Sequence, residues 1–214
     1  MTAEKMPRKQ RKLVVSLLLG ALVGLAGMKG ITYLLQSGLL GNPGPSEAIA
    51  VVMGSVYLII AALIGAGLPS PALGAKYLNL EDADELRQQR KVLAYSAAAT
   101  AAMGGALVVL ALAGPGGILL PSTALAGALA LFAVSIVLGV VQWRHLDELM
   151  RSVSAECGNI GFYLLLVFGG GWTMLAHLGY VAAPSPLDWL TIFYFFLLLA
   201  SFIGTGRRGL LKPR

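Results

Sequence analysis

Six apolar runs, each long enough to cross a bilayer, constrain this chain more than any other feature. They are Leu13–Leu35, Ala48–Leu68, Val92–Ala113, Thr123–Val141, Cys157–Tyr180 and Trp189–Gly204, the last being the shortest. A hydrocarbon core of about 30 Å is crossed by roughly 20 apolar residues in a helix. Inside lipid every backbone N–H and C=O needs a partner from the chain itself, which leaves helices or a closed barrel. The runs are continuous and do not alternate with period two, so strands are excluded. The predicted fold is an all-α, polytopic transmembrane helical bundle of six spans. Charged residues make up only 12% of the 214, against about 25% in a soluble domain. Residues 1–214 are therefore read as a single integral-membrane domain, with basic tails at 1–12 and 205–214.

Net charge is +6, but the basic residues sit at the ends of apolar runs rather than along a groove. That pattern belongs to membrane orientation and not to nucleic-acid binding. Fifteen of the sixteen Lys and Arg residues fall in the N-terminus, the second and fourth connections and the C-terminus. The first, third and fifth connections carry none. The positive-inside rule then places both termini in the cytoplasm. The basic start followed by "LVVSLLLGALVGLA" has the form of a signal sequence ending at Ala26. The apolar run resumes at "ITYLLQSGLL", which favours an uncleaved first helix; cleavage would leave five spans.

Helix starts are marked locally. Ser46 and Ser122 are expected N-caps, and "SPLD" places Ser185, Pro186 and Asp188 in a capping box. Asn79 and Asp82 are expected to cap a third helix that begins in water, three turns before its apolar run. Asp84-Glu85-Leu86 recurs as Asp147-Glu148-Leu149, 63 residues later. Each copy precedes a span with clustered glycines, Gly104-Gly105 in one and Gly169-Gly170-Gly171 in the other. The pattern reads as two parallel hairpin repeats of one orientation; chance similarity between membrane helices is the alternative. The "LDELMR" junction and the closing "APSPLDWLTIFYFFLLLASFIGTGRRG" resemble a group of bacterial polytopic inner-membrane proteins of uncharacterised activity, over Tyr77 to Gly209. The resemblance implies a bacterial inner membrane and supplies no catalytic residue.

Few residues carry chemistry. Lys29 is the basic residue off the cytoplasmic side, about 24 Å past the start of the first run at 1.5 Å per residue. It either snorkels to the outer headgroups or marks a site. With His177, Glu47 and Asp188 it is a candidate for an outer polar cluster, although Asp188 also caps a helix and Glu47 suits a helix N-terminus. Asn159 reads as an interhelical hydrogen-bonding amide, and Glu156 as the ion-pair partner of Arg151 or Arg87. One cysteine, Cys157, excludes an internal disulfide. No phosphate loop, serine nucleophile motif or paired intramembrane carboxylate occurs, and "HLDELMR" lacks the second His of a zinc helix. No enzyme activity, cofactor or metal is expected.

The glycines Gly169–Gly171 either let another helix approach closely or loosen a helix that borders a cavity. Packing is the preferred reading, with Gly104-Gly105 as the matching flat surface. "WLTIFYFFLLL" is apolar all round and reads as a peripheral, lipid-facing helix, with an oligomer contact as the alternative. The expected function is that of a non-catalytic accessory, scaffolding or regulatory membrane subunit, in contact with the bilayer and with further copies or other membrane proteins. A small solute transporter or channel is the alternative.

Overall fold

The computed structural model describes residues 25–69 and 83–210, and the regular elements among them are all helices. Residues 25–36 form α1. It is followed by α2 (Pro45–Gly67), α3 (Ala83–Ala111), α4 (Pro121–His145), α5 (Glu148–His177) and α6 (Pro186–Arg207). The last five are long and apolar enough to cross a membrane. The expected first span lies partly outside the described residues; its described end is helical. The expected caps Asn79 and Asp82 also lie outside them.

Helices α2, α3 and α6 form the centre. α2 packs on both α3 and α6, α4 packs on α3, and α5 packs on α6. Side chains of α1 reach the same centre: a Cβ on Gly27 would meet Ile59 Cδ1 of α2, and Ile31 and Leu35 border the core. Ala50, Val51, Tyr57, Leu107, Ala111 and Tyr194 are the buried heart of the bundle. The α2–α3 crossing is possible because Gly54 and Gly104 face each other. A Cβ on Gly104 would lie 2.6 Å from Gly54 O, and one on Gly54 would lie 2.7 Å from Gly104 O. Without a hydrophobic drive in lipid, such close backbone approach is what binds membrane helices. The two core tyrosines are satisfied across helices. Tyr57 Oη donates to Tyr194 O at 2.8 Å, and Tyr194 Oη donates to Met103 O at 3.0 Å.

This arrangement corrects the reading of α6 as a lipid-facing helix. Thr191, Tyr194, Ala200 and Gly204 of α6 are buried against its neighbours. An all-apolar sequence has no polar face to mark its lipid side, so hydropathy could not show which stripe packs. The peripheral helices are α4 and α5. Only 11% of the membrane-length window of α4 and 6% of that of α5 is buried, against 28% for each of α2, α3 and α6. Although α4 and α5 are joined by just Leu146 and Asp147, they do not pack along their length.

Two expected caps are also displaced. Pro45 and Pro121 take the first helical position, so Gly44 and Leu120 are the N-caps and neither makes a side-chain cap bond. Proline's fixed φ suits that first position, which pulls each helix start one or two residues back. The Ser185–Asp188 capping box is present: Asp188 N donates to Ser185 Oγ at 3.2 Å and Ser185 N donates to Asp188 Oδ2 at 2.7 Å.

Candidate functional site

The helix directions gather the described basic residues other than Lys29 at one end of the bundle. Arg87, Arg90 and Lys91 open α3, Arg144 closes α4, Arg151 opens α5, and Arg207 and Arg208 close α6. Glu156 joins two of these helices there. Arg208 Nε donates to Glu156 Oε2 at 2.8 Å, Arg208 Nη2 donates to Ser152 Oγ at 3.1 Å, and Arg207 lies 3.6 Å from the same carboxylate. The expected partners Arg151 and Arg87 are not used; Arg87 pairs instead with Asp84, 2.9 Å away on its own helix. Asn159, expected at a helix interface, is exposed on α5.

The opposite end holds the candidate polar residues. Asp188 is fixed by Ser185, its Oδ2 accepting from Ser185 N at 2.7 Å at the start of α6. Ser46 lies in the first turn of α2, behind the Gly44 cap. Glu47 sits between two loops: its carboxylate occupies the space that a Cβ on Gly44 or Gly114 would need. Beside it Asn42 N donates to Gly116 O at 2.9 Å, and Gly41 and Gly116, both at φ +79°, bring the α1–α2 and α3–α4 connections together. A residue with a side chain seldom adopts that φ. His177 is exposed in the last turn of α5. Lys29 is exposed on α1, beside Leu25, Met28, Thr32, Tyr33 and Gln36. Among the described residues, neither Lys29 nor His177 forms an ion pair with Glu47 or Asp188. The two carboxylates are placed by their own local partners.

The two glycine clusters do not face each other. Gly104 meets Gly54, and Gly105 faces Leu131 of α4, with 3.5 Å from its Cβ position to Leu131 Cδ1. Gly169 is buried beneath the indole of Trp189 on α6, whose Cζ3 lies 2.9 Å from where a Cβ would stand. Among the described residues, a Cβ on Gly170 would meet only Leu166 of its own helix, and one on Gly171 would meet nothing within 4 Å. Around these glycines α5 departs from α-helical winding, and Leu165–Gly170 is a π-helix. Thr173 Oγ1 donates to Gly169 O at 3.1 Å, and Trp172 Nε1 donates to Ala182 O at 2.9 Å, which holds the end of α5 to the loop before α6. Sequence reasoning missed Trp189 as the partner of Gly169; their separation of twenty residues across a turn was the available signal, since the two helices form a hairpin.

No protein-family model, curated protein or solved structure matches the chain.

Proposed function

We propose that this is a non-catalytic, multi-pass membrane subunit that associates laterally with other membrane proteins or with further copies of itself. The reading takes the first run as a sixth span and treats the α3–α4 and α5–α6 hairpins as parallel repeats. It sets both termini in the cytoplasm, by the gathering of basic residues at one end. The resemblance of the "LDELMR" and C-terminal segments favours a bacterial inner membrane. The observation that carries the reading is the openness of α4 and α5. Among the described residues each packs substantially on one neighbour, and Leu129 and Val137 of α4 and Phe162 and Leu166 of α5 are more than half exposed. Photo-crosslinking residues placed at these four positions in native membranes test it. Discrete protein adducts are expected; adducts to lipid alone at all four would sink the reading.

A small transporter or channel is the second reading, favoured by the π-helical stretch, because such stretches often mark functional sites. In a Cys157→Ala background, Gly170→Cys separates the two. Ready labelling by a water-soluble maleimide supports a hydrated path, and protection supports a packed or lipid-covered helix.

A further inference from the structure

The face of α1 that carries Lys29 is polar at one end, apolar at the other, and exposed along its described length. Lys29, Tyr33 and Gln36 follow at spacings of four and three, which puts them on one stripe of the helix. Together with Leu25, Met28 and Thr32 they line an open groove of about 480 Å³. Leu25, Met28 and Tyr33 are 60%, 57% and 71% exposed. Thr32 turns its hydroxyl inward to Met28 O at 2.8 Å, so Lys29, Tyr33 and Gln36 supply the groove's available polar groups.

The order of these residues along the helix is informative. Gln36 ends α1 beside the loop, and Lys29 lies about 10 Å back along the axis at 1.5 Å per residue. Leu25 and Met28 are deeper still. Side chains on a helix lean toward its N-terminus, so the stem of Lys29 lies back over the turn of Leu25 and Met28 rather than out toward the loop. A charge held at that depth needs a counter-charge close by. Among the described residues no carboxylate lines the groove; Asp188 accepts from Ser185 N, and Glu47 lies against Gly44 and Gly114.

The geometry points to a binding site for an anionic phospholipid on α1, with the headgroup phosphate on Lys29, the polar headgroup against Tyr33 and Gln36, and an acyl chain along Leu25 and Met28. The sequence of apolar, cationic and hydrogen-bonding side chains matches the order of acyl chain, phosphate and headgroup in the lipid. A soluble phosphate would make no use of Leu25 and Met28. A zwitterionic headgroup would bring an ammonium group for which the groove has no carboxylate. A second copy meeting this face about a twofold axis would set Lys29 against Lys29, since such an interface is self-complementary.

The test uses the full chain in nanodiscs with phosphatidylglycerol that carries a photoreactive group in its acyl chain, followed by peptide mapping. Adducts are expected on residues 25–36. Lys29→Gln should lower them about fivefold, the equivalent of about 1 kcal/mol for one basic residue at a lipid surface, while Lys29→Arg should hold them within twofold. The matching phosphatidylcholine probe should give adducts at the Lys29→Gln level. Inorganic phosphate at millimolar concentration should not compete; if it does, the site takes a soluble anion and the lipid assignment is wrong. Adducts on this stretch that are equal for wild type and Lys29→Gln also overturn it. So does a crosslink from Tyr33 to another polypeptide in native membranes. Lys29 is exposed, and burial of the Cys157 thiol in each variant verifies that the fold is intact.

Discussion

Replacing Gly104 by alanine should destabilise the bundle, while the same change at Gly171 should not. The new Cβ at Gly104 would stand 2.6 Å from Gly54 O, 2.8 Å from Tyr57 Cβ and 3.1 Å from Leu58 N. Two of those atoms are backbone and the third is fixed to it, so no rotamer change relieves the contact. α2 and α3 must separate by several tenths of an ångström. A radial gap of that order forfeits about a quarter to a half of the dispersion energy of the atoms that lose contact, and here those include Tyr57 and Leu107 of the core. Overpacking of this kind costs about 1–3 kcal/mol. The gain in helix propensity from Gly to Ala, about 1 kcal/mol in water, offsets part of it. A net loss of up to about 2 kcal/mol remains, which for a chain of this size lowers Tm by up to about 8 °C, and the gap from Gly171→Ala, which has the propensity gain without the clash, is about 1–3 kcal/mol.

The assay is thermal unfolding in mild detergent, read by a thiol-reactive fluorophore. Cys157, the single cysteine, is buried against Gly204 on the α5–α6 side, away from the substitution. Its exposure therefore reports unfolding of the whole bundle, and loss of helical circular dichroism gives a second midpoint. Gly105→Ala, with Leu131 at an ordinary 3.5 Å, and Gly171→Ala, with open space, should match or exceed the wild type. A Gly104→Ala midpoint equal to that of Gly171→Ala would refute the argument that backbone contact at Gly54 and Gly104 sets the α2–α3 spacing.

Other expectations follow from the same geometry. In a Cys157→Ala background, cysteines at Ser122 and Ser185 should react with an impermeant maleimide from outside intact cells, and cysteines at Gln88 and Ser152 should not; labelling of Gln88 would reverse the proposed orientation. Ser185→Ala should cost about 1 kcal/mol through loss of an N-cap, and Asp188→Ala should cost at least as much, because it leaves Ser185 N without its acceptor and removes a carboxylate from the helix N-terminus; an unchanged midpoint for Asp188→Ala would show that the second half of the capping box contributes nothing. Glu156→Gln should change the midpoint by less than about 1 kcal/mol at ordinary salt, since Arg207 and Arg208 are 66% and 40% exposed and such pairs are screened; a larger drop would mean that the pair is far better shielded than its exposure indicates.

What was legible in the sequence is what depends on neighbouring residues. The capping box at Ser185 and Asp188 is closed within four residues, and the early start of α3 follows from a charged segment continuous with its apolar run. Spans and hairpins follow from run length and short connections. The misread features depend on distant pairs. Nothing near Gly104 names Gly54 as its partner, and nothing in "WLTIFYFFLLL" tells that Tyr194 reaches Met103 O on another helix. Ser46 was legible as a helix-start residue, but Pro45 takes the first helical position and moves the cap to Gly44. Glu47, Asp188, His177 and Lys29 do share an end of the bundle, as alternation of the helices requires. Whether their side chains meet depends on loop geometry set by Gly41 and Gly116, which the sequence presents only as turn residues.

Gly169, the first of the three glycines of α5, is explained by the line along which α5 meets α6. Cys157 lies against Gly204, Gly161 lies 3.5 Å by its Cβ position from Ala200 Cβ, Phe168 stacks on Phe196 with ring centres 5.5 Å apart, and Gly169 lies under Trp189. With Val153, also buried, the α5 side of this line advances in steps of four residues: 153, 157, 161 and, two steps on, 169. An α-helix with 3.6 residues per turn drifts by about 40° for each step of four. Over the sixteen residues from Val153 to Gly169 the drift is about 160°, enough to carry Gly169 to the far side of the helix. A π-helix, bonded from i to i+5, holds more residues in each turn and winds more slowly. The π stretch at Leu165–Gly170 takes up part of the drift and turns Gly169 back toward α6. Glycine at that point removes the side chain that the Trp189 ring would strike. The irregular winding and the close contact are thus one device that keeps a long helix on one neighbour. A packing role accounts for both without a solute path, and the absence of neighbours around Gly171 is where that account stops and the Gly170 labelling experiment begins.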